Sequence, residues 1–129
     1  MRFLEDPFAE SDPDSWAHIA SAQDSCRLIG DNLYSSDAER IERGAVAGWT
    51  HGVIVKPNQA GTVTAVRRAI ETARLVGQVV IASHRSISTE STYVATLACE
   101  HGAEYIKVGP LQTDCSSVMR VNEILRLIG

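Results

Sequence analysis

The chain changes sharply from apolar to polar residues at one point past its middle. Val79–Ala82 is rich in β-branched residues, and the polar segment Ser83–Ser86 comes directly after it. Short apolar runs bounded by polar residues are typical of buried strands in a parallel sheet. Polar groups at the end of such a strand are costly to place unless they face a ligand pocket. The pattern therefore predicts a strand whose end contributes to a functional site.

The same alternation recurs five times along the chain, each time as an apolar strand pattern followed by a helical one. The predicted strands are Met1–Leu4, Cys26–Ile29, Gly52–Val55, Val79–Ala82 and Ala103–Ile106. The predicted helices are Ser15–Gln23, Ser36–Ala47, Thr62–Val76, Ser91–His101 and Ser116–Leu127. Alternating units of this kind form a parallel sheet with right-handed crossovers, so we expect an α/β fold.

Two helices carry more specific signals. Ser36 and Glu39 have the capping-box spacing, which predicts Ser36 as the residue that caps the second helix. The last helix has apolar residues at helical spacing, which predicts a buried face. That face comprises Val118, Val121, Ile124 and Leu125.

Composition narrows the class of protein. The chain of 129 residues has 44% hydrophobic and 22% charged residues, which is ordinary for one globular domain, here expected over 1–129. A net charge of −4 without a basic tract argues against a nucleic-acid partner. No apolar stretch approaches the length that spans a bilayer, and the N-terminus lacks the apolar core of a signal peptide. We therefore expect a cytoplasmic protein that does not bind membranes.

One polar side chain stands at or just after each predicted strand. These residues are Glu5, Asp31, Lys56, His84 and Lys107, at intervals of between 23 and 28 positions. Because the carboxyl ends of parallel strands lie on the same rim, the five side chains are predicted to converge. Each alone has an ordinary interpretation as a turn, cap or surface residue, but the five together favour a site.

The residue types on this rim indicate a metal and an anionic substrate. Carboxylates such as Glu5 and Asp31 are the hard oxygen ligands that suit Mg²⁺. A lysine among other cations can act as a base, which makes Lys56 a candidate. Arg85 offers a forked donor for phosphate or carboxylate, and Ser86 adds a hydroxyl.

Five sequence blocks resemble those of the enolases, the phosphopyruvate hydratases. The blocks are Glu5–Phe8, Gly30–Leu33, Lys56–Thr62, Ser83–Ser86 and Ile106–Gly109. They occur in the same order, and the similarity extends from Phe3 to about Leu127. The resemblance implies a partial TIM barrel, made of five consecutive βα units that match the C-terminal strands of an enolase-type barrel.

The resemblance also implies a role for each rim residue. Glu5 and Asp31 correspond to two of three carboxylate ligands of Mg²⁺. Lys56 corresponds to the base that removes the proton next to the substrate carboxylate. The catalytic set is completed by His84 and Lys107, and the substrate-binding set comprises Glu5, His84, Arg85, Ser86 and Lys107.

Several parts of an enolase have no counterpart in the chain. The resemblance implies a capping domain, three further strands, a third carboxylate ligand and glutamates that act as general acid, and a full barrel needs about 250 residues. An arc of five strands would expose its concave face to water and leave both edge strands unpaired. We therefore expect a separate partner chain that supplies the missing parts, or else a homo-oligomer.

The resemblance therefore implies that the chain is the C-terminal subunit or fragment of a Mg²⁺-dependent lyase. We expect this lyase to eliminate water from a small phosphorylated or phosphonate carboxylate. Ile87–Ser91 stands where enolases have Gly-Glu-Thr-Glu-Asp. This departure leaves open an enolase-like enzyme of a specialised pathway, such as phosphonate metabolism. A non-catalytic interaction protein built on half a barrel is the other alternative.

Overall fold

The computed structural model describes residues 2–22, 25–85 and 91–129. Within them five strands form one parallel sheet whose spatial order equals the chain order. The strands are β1 (Phe3–Glu5), β2 (Arg27–Gly30), β3 (Gly52–Val55), β4 (Val79–Ser83) and β5 (Tyr105–Lys107). The sheet is the curled arc of a partial TIM barrel, which confirms the predicted fold class.

In the described part of the chain, five helices lie in the connections between strands on the outer side of the arc, and a sixth follows the last strand. They are α1 (Pro13–Ala22), α2 (Ala38–Val46), α3 (Pro57–Ala60), α4 (Val63–Leu75), α5 (Tyr93–Glu100) and α6 (Cys115–Ile128). The short helix α3 was not predicted. It begins with a proline at its first position, where the missing N–H costs nothing. No helix in the described ranges is long and apolar enough to cross a membrane.

Alternation along the strands divides the apolar side chains between two faces. Leu28, Val53, Val55 and Val80 lie in the main core together with Trp16 and residues of the outer helices. The intervening residues Ile29, Ile54 and Ile81 form a second cluster on the inner face of the arc.

The inner face of the arc was expected to be exposed to water, but its apolar side chains are buried. Ile29, Ile54 and Ile81 are only 1%, 0% and 6% exposed. The reason is the curl of the sheet, which brings the side chains of its two edge strands together. The Phe3 and Tyr105 rings meet edge to face with their centroids 5.0 Å apart, and they cover this side of the sheet.

The prediction for the last helix was wrong for part of its face. Val118 and Leu125 are exposed, while Val121 and Ile124 are half-buried. The buried side of α6 consists of Ser116, Ser117 and Arg120. Helix α6 packs against α5 and not over the middle of the sheet, so its apolar side has no described neighbour to cover it.

The capping-box prediction for α2 was also wrong by one residue. Asp37 is the N-cap, and its carboxylate accepts a hydrogen bond from the Arg40 N–H at 2.9 Å. Ser36 has a positive φ of 59° and points its hydroxyl elsewhere. That hydroxyl accepts from the Lys56 N–H at 2.9 Å and donates to Gln59 Oε1 at 3.0 Å. Tertiary contacts thus outweigh the local capping pattern.

Candidate functional site

The rim residues stand where the sequence places them, at the carboxyl ends of the strands. Glu5 and Lys107 are the last residues of β1 and β5, and Asp31, Lys56 and His84 directly follow β2, β3 and β4. In a strand, residues two positions apart share a face. Asp31 and Lys56 therefore continue the inner face that begins with Ile29 and Ile54.

Asp31 and Lys56 form an ion pair on neighbouring strand ends. The Lys56 Nζ donates to Asp31 Oδ2, and both side chains are largely withdrawn from solvent. The other carboxylate oxygen, Oδ1, is buried and has no hydrogen-bond partner among the described residues. A buried carboxylate oxygen without a donor is unfavourable unless a ligand or an ion completes it.

Glu5 and Lys107 form a second ion pair across the arc. The Lys107 Nζ lies 3.0 Å from Oε1 and 2.7 Å from Oε2 of Glu5. Their side chains are 41% and 43% exposed, so the pair is accessible from solvent. Each lysine of the rim is thus paired with a carboxylate.

Asp6 is a residue of the site that the sequence reasoning did not single out. Its carboxylate accepts the backbone N–H groups of Asp31 at 2.9 Å and Asn32 at 2.7 Å. Its own φ is 40°, a left-handed conformation that aspartate adopts more readily than most residues. Asp6 therefore joins the ends of β1 and β2 and fixes the backbone that carries Asp31. An acidic residue directly after a strand was the available signal.

His84 faces the loop that follows β5. Its Nδ1 lies 2.8 Å from the carbonyl oxygen of Lys107, and because a carbonyl only accepts, Nδ1 is the donor. In the neutral ring Nε2 is then unprotonated. Gly109, with φ of 97°, lies beside it, and a Cβ at this position would come within 2.9 Å of Nε2. The glycine leaves room for the ring.

Of the two predicted anion-binding residues, only Arg85 belongs to the described part of the chain. Arg85 directly follows His84 in the chain and is exposed. Ser86 lies outside the described residues. The prediction that both bind a phosphate stays a prediction.

His51 is hydrogen-bonded to the backbone of the neighbouring strand β2. It is half-buried, and its Nδ1 accepts the Leu28 backbone N–H at 3.1 Å. The Val79 N–H in turn donates to the carbonyl of His51 at 3.0 Å. His51 lies at the amino end of β3, opposite the rim, and this position points to a structural role.

The carboxylates fit part of a magnesium site. Glu5 and Asp31 supply the oxygen donors that Mg²⁺ prefers, and the buried Oδ1 of Asp31 lacks a protein donor in the described part of the chain. Across residues 2–22, 25–85 and 91–129, no group of three His, Cys, Asp or Glu side chains is gathered. The described part of the chain therefore offers two candidate oxygen donors but not a complete metal site.

These features define a barrel-type α/β protein with a charged site at the carboxyl ends of its strands. Residues 1–128 match the family model described as "Enolase, C-terminal TIM barrel domain". The chain belongs to this family.

Curated relatives agree with the family model. The chain is 32% identical over 127 residues to the enolase of Pelagibacter ubique, covering 98% of the chain and 30% of the relative. It is 38% identical over 125 residues to the enolase of Pyrobaculum aerophilum, covering 97% and 29%. With the enolase of Neorickettsia sennetsu it shares 38% over 125 residues, covering 96% and 30%. The chain therefore spans about 30% of the length of the relatives that it matches.

Proposed function

We propose that the chain is the C-terminal part of a Mg²⁺-dependent enolase-type lyase, active when a partner polypeptide supplies the rest of the barrel. The reaction is removal of a proton next to a carboxylate, followed by elimination of water to give a phosphoenolpyruvate-type product. The observation that carries the proposal is the pairing of Lys56 with Asp31, whose second oxygen is buried without a donor among the described residues.

Lys56 is the proposed base. Its backbone N–H is held by the Ser36 hydroxyl and its Nζ by Asp31 Oδ2, so the amine has a defined position at the end of β3. An ammonium group cannot accept a proton, so Lys56 has to lose one to solvent and leave its ion pair with Asp31 before it takes the substrate proton. Positioning of the base by neighbouring strands is the contribution of this chain to catalysis.

Glu5 and Asp31 are the proposed ligands of the metal ion. When bound, Mg²⁺ stabilises the negative charge that develops on the substrate carboxylate as the proton leaves. Asp6 holds the backbone of Asp31 and thereby sets the direction of the ligand carboxylate. We assign the Asp31 Oδ1 to this site because it is buried and has no donor within residues 2–22, 25–85 and 91–129.

The remaining rim residues are proposed to bind the substrate. Lys107 and His84 contact its charged groups once Lys107 is released from Glu5. Arg85 and Ser86 bind its phosphate, Arg85 through the forked geometry that suits a phosphoryl group.

A partner is proposed because the chain spans about 30% of its relatives. A lysine base without an acid on the opposite side of the substrate gives slow elimination, since departure of hydroxide needs a proton. The partner is proposed to supply the general acid, the third carboxylate and the missing strands.

The test is fragment complementation. The chain is mixed with the N-terminal remainder of the Neorickettsia sennetsu enolase, and conversion of 2-phosphoglycerate is followed by the absorbance of the enol product. We expect activity only in the mixture, with Lys56→Ala lowering it by about 10²-fold or more. The matched control Arg67→Ala removes an exposed cation on α4 and should leave activity unchanged. Absence of activity from a mixture that binds would contradict the proposal.

The same mixture distinguishes a non-catalytic barrel-half protein. That alternative is favoured by the neutralisation of both rim carboxylates by lysines within the chain. If the chain is such a protein, we expect the assembly to form but to show no measurable Mg²⁺ affinity by calorimetry. If the chain is part of the proposed lyase, we expect the assembly to bind Mg²⁺ and Asp31→Asn to weaken that binding.

A third possible function is that of an enolase-like enzyme with a different substrate, such as a phosphonate. Ile87–Ser91 departs from the enolase pattern, and positions 87–90 of it lie outside the described residues. Turnover of a phosphonate analogue of 2-phosphoglycerate, without turnover of 2-phosphoglycerate itself, would assign the chain to this specialised enzyme.

A further inference from the structure

Helix α6 presents an apolar stripe to solvent. Val118, Leu125 and Ile128 are 43%, 59% and 69% exposed, and Val121 between them is half-buried. Their spacing of three and four residues places them in one row along the helix. A row of this kind is the usual contact surface between two packed helices.

The orientation of α6 is set by its polar side. Arg120 is fully buried, and its guanidinium donates to the carbonyl oxygen of Val108 at 2.9 Å and to that of Ser91 at 3.3 Å. The side chains of Ser116 and Ser117 are buried beside it and donate to Asp114. The Arg120 bonds tie α6 to the segment just before α5 and to the loop after β5, so the helix cannot turn its apolar stripe inward without breaking them.

The location of the stripe indicates what covers it. Helix α6 directly follows β5, which is an edge of the sheet. Along the arc, α2 packs on α4 and α5 packs on α6. A parallel strand added to the free edge of β5 would bring its own connecting helix to the free side of α6 in the same way.

The flank of the stripe favours an apolar partner surface. Glu123 and Arg126 pair with each other, with Arg126 Nη2 2.7 Å from Glu123 Oε1. The stripe itself carries no charge, so the partner has no charged group in it to neutralise. Three exposed apolar residues in one row make a surface that a helix with an apolar face can bury.

We propose that the α6 stripe (Val118, Val121, Leu125 and Ile128) is the docking surface for a helix of the partner polypeptide. The occupant is the amphipathic helix of the βα unit that continues the sheet beyond β5. This rests on the proposed function, because the partner is the polypeptide that completes the barrel.

The test measures binding and not activity. The N-terminal remainder of the Neorickettsia sennetsu enolase is the probe, titrated calorimetrically with the wild-type chain and with Leu125→Glu. We expect Leu125→Glu to weaken binding by about 10- to 100-fold, because a leucine side chain would be replaced by a charge at a buried contact. Leu125→Met should bind as the wild type does.

The matched control is Leu75→Glu, the same substitution at a leucine of α4 that is 87% exposed and lies outside the stripe. It should bind the probe unchanged, and circular dichroism should show all variants folded. Equal binding by Leu125→Glu and the wild type would overturn the docking surface and leave the proposed function standing.

Two other outcomes also overturn the inference. Concentration-dependent self-association of the wild type in sedimentation, abolished by Leu125→Glu with no probe bound, would assign the stripe to a second copy of this chain. No binding by the wild type, with no self-association, would overturn the docking surface and the proposed function together.

Discussion

Glu5 and Lys107 are 102 positions apart in the chain, yet the Lys107 ammonium lies 2.7 and 3.0 Å from the two oxygens of the Glu5 carboxylate. They terminate the first and last strands of the sheet. The pair therefore reports the curl of the whole arc. Side chains hold the two edges of the sheet together at two levels, since the Phe3 and Tyr105 rings meet two residues earlier on the same strands.

The curl predicts a measurable coupling between these ends. In a double-mutant cycle of Glu5→Gln and Lys107→Met, we expect a coupling free energy of about 0.5 kcal/mol, the usual size for exposed pairs. Urea unfolding at low and high ionic strength provides the measurement, and salt should reduce the coupling. A coupling of zero at low salt would mean that the edges do not meet in solution.

The Asp31–Lys56 pair should be far more sensitive to loss of one partner. Lys56→Met would leave a buried carboxylate without its cation, at a cost of about 3 kcal/mol in the free energy of unfolding. Adding Asp31→Asn removes the stranded charge and should restore part of the lost stability. If the double variant is less stable than Lys56→Met alone, the carboxylate is not the source of the penalty.

Asp6 should be required for a rigid end of β2. Asp6→Ala removes the acceptor of two backbone N–H groups and also places alanine at a positive φ, so we expect a loss of roughly 2 kcal/mol. Hydrogen exchange by NMR should show faster exchange of the Asp31 and Asn32 amides. Asp6→Asn keeps one acceptor oxygen and should fall between. Unchanged protection of both amides in Asp6→Ala would refute this role.

Tyr34 should make the fold sensitive to alkaline pH. Burial raises the pKa of Tyr34 to about 12, against the opposing effect of its hydrogen bond with Thr50. The folded state thus holds the phenol proton more tightly than the unfolded state, whose ordinary value is 10.0. Its contribution is complete below about pH 10 and is lost as the pH rises towards about 12, amounting to about 2 to 3 kcal/mol.

Tyr34→Phe provides the check on that assignment. The variant should be less stable near neutral pH, because Thr50 loses a buried partner 2.6 Å away. Its free energy of unfolding should fall less steeply than that of the wild type between pH 10 and 12. Parallel profiles for the two proteins in this range would show that another group is responsible.

Much of the architecture was determined by local sequence pattern. The five strands and the main helices lie within one or two residues of most predicted bounds, because alternation of apolar runs and helical periodicity reflects which side chains are buried. One polar residue at or just after each strand predicted a common rim, because parallel strands share the direction of their carboxyl ends. These residues are Glu5, Asp31, Lys56, His84 and Lys107. The parallel α/β sheet and the shared rim followed from these two regularities, whereas the partial barrel followed from the resemblance to enolases.

Contacts between residues distant in sequence were decided only by the tertiary structure. The curl of the sheet joined Glu5 to Lys107 and closed the inner face, and no local pattern encodes how far an arc of strands bends. Ser36 does not cap α2 as predicted, because its hydroxyl accepts the Lys56 backbone N–H. Asp37 is the N-cap instead. The same holds for α6, where buried contacts of Arg120 outweigh the apolar periodicity that predicted the opposite face. Periodicity records that a face is apolar, whereas only the packed chain shows which neighbour covers it.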